Sequence, residues 1–170
     1  MDLTIIIPAL DEAENLRDLL PVLSQIVADL FPTYEIIVVN RPSNDDTERV
    51  ATDLGASVIG QDEPGYGGAL AAGFQAARGE YVLTLDADLS HSPAFVEDML
   101  RAAHDADTVI ASRYVSGGSS NAEWLRKTLS VVLNMGIGKI LDIDVKDISS
   151  GFRLYRSSVV KSMSLSRRDF

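Results

Sequence analysis

The stretch "YVLTLDADLSHSP", residues 81–93, indicates how this chain folds. It begins as an apolar, strand-like run at residues 81–85 and passes through Asp86-Ala87-Asp88. It then reaches Ser92-Pro93, a pair typical of a helix start. A buried strand followed by a short polar turn and a helix is the repeating unit of a parallel α/β sheet. Two carboxylates one residue apart repel each other, so we expect them to serve a ligand.

The same alternation extends along residues 1–112. Apolar, β-branched runs predict further strands at residues 3–7, 35–39, 57–59 and 108–111. Helical spacing of apolar residues predicts helices at residues 11–30, 46–54 and 66–78. Later residues predict a loop at 115–121, a helix at 124–140 and a strand at 151–155. The pattern predicts an α/β domain with a mostly parallel, Rossmann-like sheet flanked by helices.

The first helix carries its own start and break signals. Asp11 is its predicted N-cap, and Glu14 lies three residues later in a capping-box position. Pro21 is expected to kink the helix or to end its first part, because proline lacks the N–H that an interior position uses. Gly55 and Gly79 are the predicted stops of the next two helices.

Composition limits the classes of partner. The chain has 170 residues, no cysteine and a formal net charge of −10. This length suits one domain, neither disulfides nor thiolate metal sites are available, and the charge argues against nucleic acid as the main partner. Residues 1–112 carry 5 basic and 20 acidic side chains, whereas residues 113–170 carry 10 basic and 5 acidic ones. The basic end is therefore a candidate contact for a phosphate or a lipid surface, unless the asymmetry only reflects a solvated surface.

Four polar segments follow predicted strands, at residues 8–12, 40–46 and 86–90 and at Arg113. Ligands of open α/β sheets bind at the carboxyl ends of the strands, so we expect these segments to surround one crevice. In extended backbone Asp86 and Asp88 point the same way, and their hard oxygen atoms suit Mg²⁺ or Mn²⁺ held together with substrate phosphates. The alternative is that Asp88 only caps the turn before Ser92.

Neighbouring residues admit both a binding and a structural interpretation. Gly65-Tyr66-Gly67-Gly68 precedes a predicted helix and could approach phosphates through backbone N–H groups, but a turn with close helix packing is the favoured role. Its spacing does not complete Gly-x-Gly-x-x-Gly and no P-loop motif occurs, so we expect neither a dinucleotide site nor a P-loop. His91 lies beside the Asp pair and could contact a ligand, but a hydrogen bond in the turn is the favoured role, and His104 is expected to be solvated.

Five motifs in order carry a resemblance to a known family. They are "IIIPALDEAEN" (5–15), "EIIVVNRPSNDDT" (35–47), "GYGGALAAGFQAARGEYVLTLDADLSHSP" (65–93), "IASRYVSGG" (110–118) and "DISSGFRLYR" (147–156). Across residues 3–156 the chain resembles the family 2 glycosyltransferases with a GT-A fold, most of all the dolichyl- or polyprenyl-phosphate sugar synthases of mannose type.

The resemblance implies a single GT-A domain over residues 1–170. Residues 1–112 would form its nucleotide-binding half and residues 113–170 its acceptor-side half. Such synthases usually continue further, so we expect this domain to lack its C-terminal part.

The resemblance also implies roles for individual residues. Asp86, Ala87 and Asp88 would form the Asp-x-Asp motif of the family, with Asp88 the direct ligand of Mg²⁺ or Mn²⁺ and Ser90 a second candidate ligand. The nucleotide pocket would be lined by Pro8, Leu10 and Glu12, and the base would meet Val39 and Asn40. Phosphates would face Arg113 and Arg126, and the sugar and acceptor would lie near Asp147, Ser150 and Arg153. The catalytic residues would be Asp86, Asp88, Arg113 and Asp147.

Two residues depart from the family pattern. An acidic pair usually follows the second strand, where this chain has Asn40-Arg41. Asparagine both donates and accepts hydrogen bonds, whereas an ionised aspartate only accepts, so the base preference is open. An aromatic residue is frequent where Leu10 stands, so a stacking contact is missing.

The predicted activity is inverting transfer of a hexose, mannose or glucose, from a GDP- or UDP-sugar to a polyprenyl phosphate. The sequence is also compatible with two alternative functions. One is a family 2 transferase that uses a hydroxyl acceptor on a glycan or small molecule, and the other is a non-catalytic binder of sugar nucleotides. Envelope glycan or glycoprotein synthesis is the expected context.

The expected location is the cytoplasmic face of a membrane, with peripheral contact through the basic C-terminal side. No apolar run reaches the roughly 18–20 residues that a spanning helix needs, and the first residues do not resemble a signal peptide. The nearest run, residues 129–141, is interrupted by Asn134, two glycines and Lys139.

Overall fold

A computed structural model describes residues 1–42, 44–112, 147 and 150–163 of the chain. The strands are β1 (Leu3–Ala9), β2 (Tyr34–Asn40), β3 (Ser57–Gly60), β4 (Tyr81–Thr84), β5 (Thr108–Ile110) and β6 (Arg153–Arg156). The helices are α1 (Ala13–Leu30), α2 (Thr47–Asp53), α3 (Gly65–Ala76), α4 (Phe95–Ala102) and α5 (Ser157–Ser162). Every strand predicted within the described residues is present, with ends shifted by one or two residues. The predicted loop at 115–121 and helix at 124–140 lie outside them.

The strands form one six-stranded sheet in the order β3-β2-β1-β4-β6-β5. β1 is parallel to β2 and β4, and β2 is parallel to β3. β6 is inserted between β4 and β5 and runs antiparallel to both, so the sheet is mostly parallel, as predicted. The chain passes outward from β1 to β3 and then returns to β4 on the other side of β1. The topological switch point therefore lies between β1 and β4.

Helices cover both faces of this sheet. In β1, Ile5 and Ile7 belong to the core beneath α1, α2 and α4, whereas Ile6 belongs to the core beneath α3 and α5. All three side chains are fully buried, which explains why β1 is almost continuously apolar instead of alternating. α3 lies close to the sheet, because a Cβ on Gly73 would stand only 2.4 Å from Cγ2 of Ile6.

The start of α1 differs from the predicted capping box. Asp11 has a φ of 57° and does not cap the helix, which begins at Ala13. The Ala13 N–H donates instead to Asp45 Oδ2 at 3.1 Å, and the preceding N–H donates to Thr47 Oγ1 at 2.9 Å. The prediction of a capping box with Glu14 was wrong because Asp45, in the loop after β2, and Thr47, the first residue of α2, satisfy these donors from a distant part of the sequence.

The predicted start of α4 and one of the two alternatives for Pro21 were wrong. α1 continues through Pro21 for all of its 18 residues, so the proline does not end the first part of the helix. α4 begins at Phe95, whereas the sequence predicted a start at Ser92-Pro93. Ser92 Oγ accepts the Ala94 N–H at 3.3 Å, so it stabilises the turn that precedes the helix. Gly55 ends its helix as predicted, with a φ of 85°.

Candidate functional site

A cavity of about 330 Å³ opens where β1, β2 and β4 end. Its described lining consists of Pro8, Ala9, Leu10, Glu12, Arg41, Gln61, Gly65, Tyr66, Ala69, Asp86, Ala87 and Asp88. Three of the four segments that were expected to surround one crevice thus meet at the switch point, together with Gln61 after β3, and Arg113 lies outside the described residues. Six residues assigned to the nucleotide site from the sequence stand on this wall: Pro8, Leu10, Glu12, Asp86, Ala87 and Asp88.

Within the described part of the chain, the two carboxylates of the Asp-x-Asp motif each accept one hydrogen bond. Asp86 Oδ1 accepts the hydroxyl of Tyr66 at 2.9 Å, and Asp88 Oδ1 accepts the Ser90 N–H at 2.9 Å. Asp88 therefore does stabilise the turn, as the structural alternative proposed, yet it also lines the cavity. Each group retains a second oxygen atom, so the motif can hold a ligand as well.

The donor set fits a divalent cation that is shared with phosphates. Among the described residues no three or more acidic, cysteine or histidine side chains are arranged so that they could hold a metal ion by themselves. Mg²⁺ is commonly held by one or two carboxylates, with substrate phosphates and water completing the shell. Two aspartates on the wall of one cavity match that arrangement, and Asp88 and Asp86 are the candidate protein ligands.

The turn after the Asp pair is strained. Leu89 has a φ of 55°, a conformation that costs a non-glycine residue roughly 1–2 kcal/mol. Its side chain is 40% exposed, so packing of the side chain does not account for the conformation. The hydrogen bond from Ser90 N–H to Asp88 stabilises the turn on its C-terminal side. Strain of this kind is common where a loop is shaped for a ligand.

His91 joins this turn to the segment before β6. Its ring is buried, with Nδ1 at 3.1 Å from Ser90 Oγ and Nε2 at 3.3 Å from Ser150 Oγ. It also packs edge-on against the ring of Phe152 at 5.6 Å between centroids. The predicted turn hydrogen bond is thus present, and the second contact links two loops. His104 is solvated as predicted, with a side chain that is 90% exposed.

Tyr66 and Arg41 are cavity residues that the sequence did not single out as ligand contacts. Burial and the neighbouring Asp86 charge both raise the pKa of the Tyr66 hydroxyl, which therefore keeps its proton and stays a donor. Arg41 follows β2, and its backbone N–H donates to the Ala9 carbonyl at 3.2 Å. The Gly-Tyr-Gly-Gly segment could have suggested Tyr66, but its contact with Asp86 depends on how α3 docks.

Other predicted site residues are not part of the described cavity lining. Val39 is fully buried in the core under α3, and Asn40 is buried at the end of β2, where its Oδ1 has no hydrogen-bond partner among the described residues. Asp147 and Ser150 are buried, and the Ser150 N–H donates to the Asp147 carbonyl at 3.3 Å. Arg153 donates from Nε to the Ser150 carbonyl at 2.7 Å. Their ligand-binding roles stay predictions, and Arg113 and Arg126 lie outside the described residues.

No helix in the described part of the chain combines the length and hydrophobicity that crossing a bilayer requires.

Comparison with known proteins supplies an independent test of the predicted family. The model of the family described as "Glycosyl transferase family 2" matches residues 4–163. A dolichol-phosphate mannosyltransferase of Pyrococcus furiosus is 34% identical over 97% of this chain and 49% of its own length. A polyprenol monophosphomannose synthase of Mycolicibacterium smegmatis is 35% identical over 97% of this chain and 65% of its own length. The chain thus spans half to two thirds of these relatives.

Solved structures confirm the predicted GT-A fold. A glucosyl-3-phosphoglycerate synthase from Mycobacterium tuberculosis, solved in complex with Mn²⁺, UDP-glucose and phosphoglyceric acid, is similar at a TM-score of 0.71. The two share 25% identity, and the match covers 95% of this chain and 59% of that one.

Proposed function

The chain belongs to glycosyl transferase family 2, and we propose that it moves a hexose from a GDP- or UDP-sugar to a polyprenyl phosphate with inversion at the sugar carbon. One observation carries the proposal. The Asp86-Ala87-Asp88 motif and the segment at the end of β1 line one cavity at the switch point of the sheet. The relatives that match nearly the whole chain at 34% and 35% identity are named for transfer to dolichol or polyprenol phosphate, which supports this acceptor.

The proposed donor is a nucleoside diphosphate sugar bound together with Mg²⁺ or Mn²⁺. Asp88 would hold the cation, with Ser90 as a second candidate and Asp86 oriented by Tyr66. When bound, such a cation neutralises charge that develops on a leaving diphosphate. The similar structure solved with Mn²⁺ and UDP-glucose supports this choice of donor and metal.

The transfer needs little proton chemistry from the protein. An oxygen of the acceptor phosphate attacks the anomeric carbon, and the bond from that carbon to the nucleoside diphosphate breaks. The acceptor is already an anion near neutral pH, so no hydroxyl has to be deprotonated, and the diphosphate leaves as an anion. The role of the protein is therefore to orient the donor and the acceptor and to exclude water. We assign sugar and acceptor positioning to Asp147, Ser150 and Arg153, and phosphate binding to Arg113 and Arg126.

A hydroxyl acceptor is the second candidate, because the similar structure holds phosphoglyceric acid beside UDP-glucose. The two acceptor classes give products of different solubility. Incubation with radiolabelled GDP-mannose or UDP-glucose, polyprenyl phosphate and Mn²⁺ should move label into an organic phase. Label that enters only water-soluble products would favour the hydroxyl acceptor, and binding without transfer or hydrolysis would favour a non-catalytic binder.

Asp88→Ala tests the metal role directly. Loss of one of two carboxylates that hold the cation should lower kcat/KM for transfer at least about 100-fold, in the range found when one group stabilising transition-state charge is removed. Asp98→Ala is a matched control, since Asp98 is exposed on α4, away from the cavity, and pairs with Arg101 at 2.9 Å. Full activity of Asp88→Ala at low Mn²⁺ concentration would contradict the metal role.

A further inference from the structure

We propose that Tyr66 is a positioning residue, which fixes the Asp86 carboxylate in the donor cavity through its hydroxyl group. This inference rests on the proposed function, because Asp86 needs a fixed orientation only if the cavity takes a nucleotide sugar. Tyr66 lies in the first turn of α3, and Asp86 follows β4. Their 2.9 Å hydrogen bond therefore ties the helix to the Asp-x-Asp motif across the cavity wall.

The segment before β6 lies against both Asp86 and Tyr66 at Gly151. A Cβ on Gly151 would stand 2.6 Å from Asp86 Oδ2 and 2.6 Å from the Tyr66 hydroxyl oxygen. The backbone of Gly151 is held there, because Thr84 Oγ1 donates to its carbonyl at 2.7 Å and β4 pairs with β6 immediately beyond it. Asp86 is thus confined between α3, the end of β4 and the segment before β6.

The chemistry of the pair explains why a phenol suits this position. A neutral hydroxyl can donate to Asp86 without bringing a positive charge that would compete with a bound cation. A tyrosine hydroxyl is ordinarily protonated at neutral pH, so it is available as a donor there. The bond offsets part of the repulsion between the carboxylates of Asp86 and Asp88, and it occupies one defined oxygen of Asp86. Within the described residues, this arrangement leaves Asp86 Oδ2 and Asp88 Oδ2 for the donor and its cation.

The expected effect is on ligand affinity and depends on Asp86. Tyr66→Phe removes one oxygen atom and keeps the ring that lines the cavity. We expect it to raise the Kd for GDP or UDP in the presence of Mn²⁺ about tenfold, as the loss of a hydrogen bond to a charged group does. In an Asp86→Ala background the same change should alter the Kd less than about twofold, because the group through which Tyr66 acts is gone.

A double-mutant cycle by titration calorimetry measures this dependence. The wild-type chain, the two single variants and the double variant are titrated with GDP and with UDP at saturating Mn²⁺. Tyr34→Phe is the matched control, since Tyr34 lies at the other end of β2 and its hydroxyl donates to the Ser24 carbonyl at 3.4 Å, away from the cavity. Gly151→Ala is a second, independent variant, because its methyl group would displace both Asp86 and Tyr66. It should weaken binding at least as much as Tyr66→Phe.

The outcomes separate this inference from the proposed function. If the wild-type chain binds neither nucleotide, the proposed function fails and this inference fails with it. If the wild-type chain binds but Tyr66→Phe changes the Kd equally with and without Asp86, or not at all, only the positioning role is overturned. Unchanged binding by Gly151→Ala would also contradict it. Melting temperatures of all variants show which losses come from unfolding.

Discussion

At the scale of single residues, Arg41 brings a positive charge to a described cavity lining whose other charged residues are Glu12, Asp86 and Asp88. It stands where the family usually has an acidic residue, and it lines the cavity beside Glu12. Within the described residues, none of the hydrogen bonds or ion pairs involves its guanidinium group, which leaves that group available to a ligand. A guanidinium only donates hydrogen bonds, so it suits an edge that presents acceptors, such as N7 and O6 of guanine. An aspartate would repel the same edge.

Arg41→Asp should therefore shift the preference between nucleotides. We expect the ratio of the GDP affinity to the UDP affinity to fall about tenfold, within the range that one well-placed bidentate contact provides. Titration calorimetry of both nucleotides with Mn²⁺ measures the ratio. Arg17→Asp is the control, since it makes the same charge change on an exposed part of α1. A ratio that moves equally in both variants would show a general field effect instead of base recognition.

Residue-level prediction worked where chemistry and strand position coincide. Asp86 and Asp88 line the cavity, as expected, because the carboxyl ends of parallel strands meet at one edge of the sheet, and their role as metal ligands stays a prediction. Tyr66 was missed as a partner of Asp86 because their contact joins residues 20 positions apart and depends on how α3 docks. The same reason hid the link from His91 to Ser150, which spans 59 positions.

At the scale of helices and strands, the loop after β2 stabilises the start of α1. Thr47 is fully buried, and its Oγ1 accepts the N–H of Glu12 and donates to Asp45 Oδ1. Sequence-based capping rules look only a few residues away, so they selected Asp11 and could not find a donor–acceptor pair 35 residues apart. The strand pattern was easier to predict, since burial on both faces gives a continuous apolar run.

Thr47→Val tests this tertiary cap. The substitution keeps the shape of the side chain but removes the acceptor of the Glu12 N–H and one of the donors to the Asp45 carboxylate. The free energy of unfolding should fall by about 1–2 kcal/mol, or roughly 2–8 °C in Tm for a chain of this size. Thr52→Val is the matched control, because the Thr52 hydroxyl donates to the Glu48 carbonyl on the exposed face of α2. Equal losses in both variants would show that the buried cap adds no specific stability.

At the scale of the whole molecule, the charge of the chain is divided along its length. Residues 1–112, which form β1 to β5 and α1 to α4, carry a net −15, whereas residues 113–170 carry +5. Anionic lipid repels the first part within a Debye length of about 8 Å at physiological salt. A polyprenyl phosphate acceptor lies in a membrane, so the proposed activity needs an orientation that turns the acidic part away from the surface.

We expect this chain to bind anionic vesicles weakly and to dissociate from them as the salt concentration rises. Each basic residue near an anionic surface contributes about 1 kcal/mol, but lasting attachment generally needs a hydrophobic signal as well. Co-sedimentation with vesicles that contain phosphatidylserine, at low and high salt, measures the binding, and neutral phosphatidylcholine vesicles are the control. Lys161→Glu, on α5, should weaken the low-salt binding, whereas Arg49→Glu, on α2, should not. Binding that survives high salt would mean that apolar contact dominates, and residues 129–141, the longest mostly apolar run, would then be the first segment to mutate.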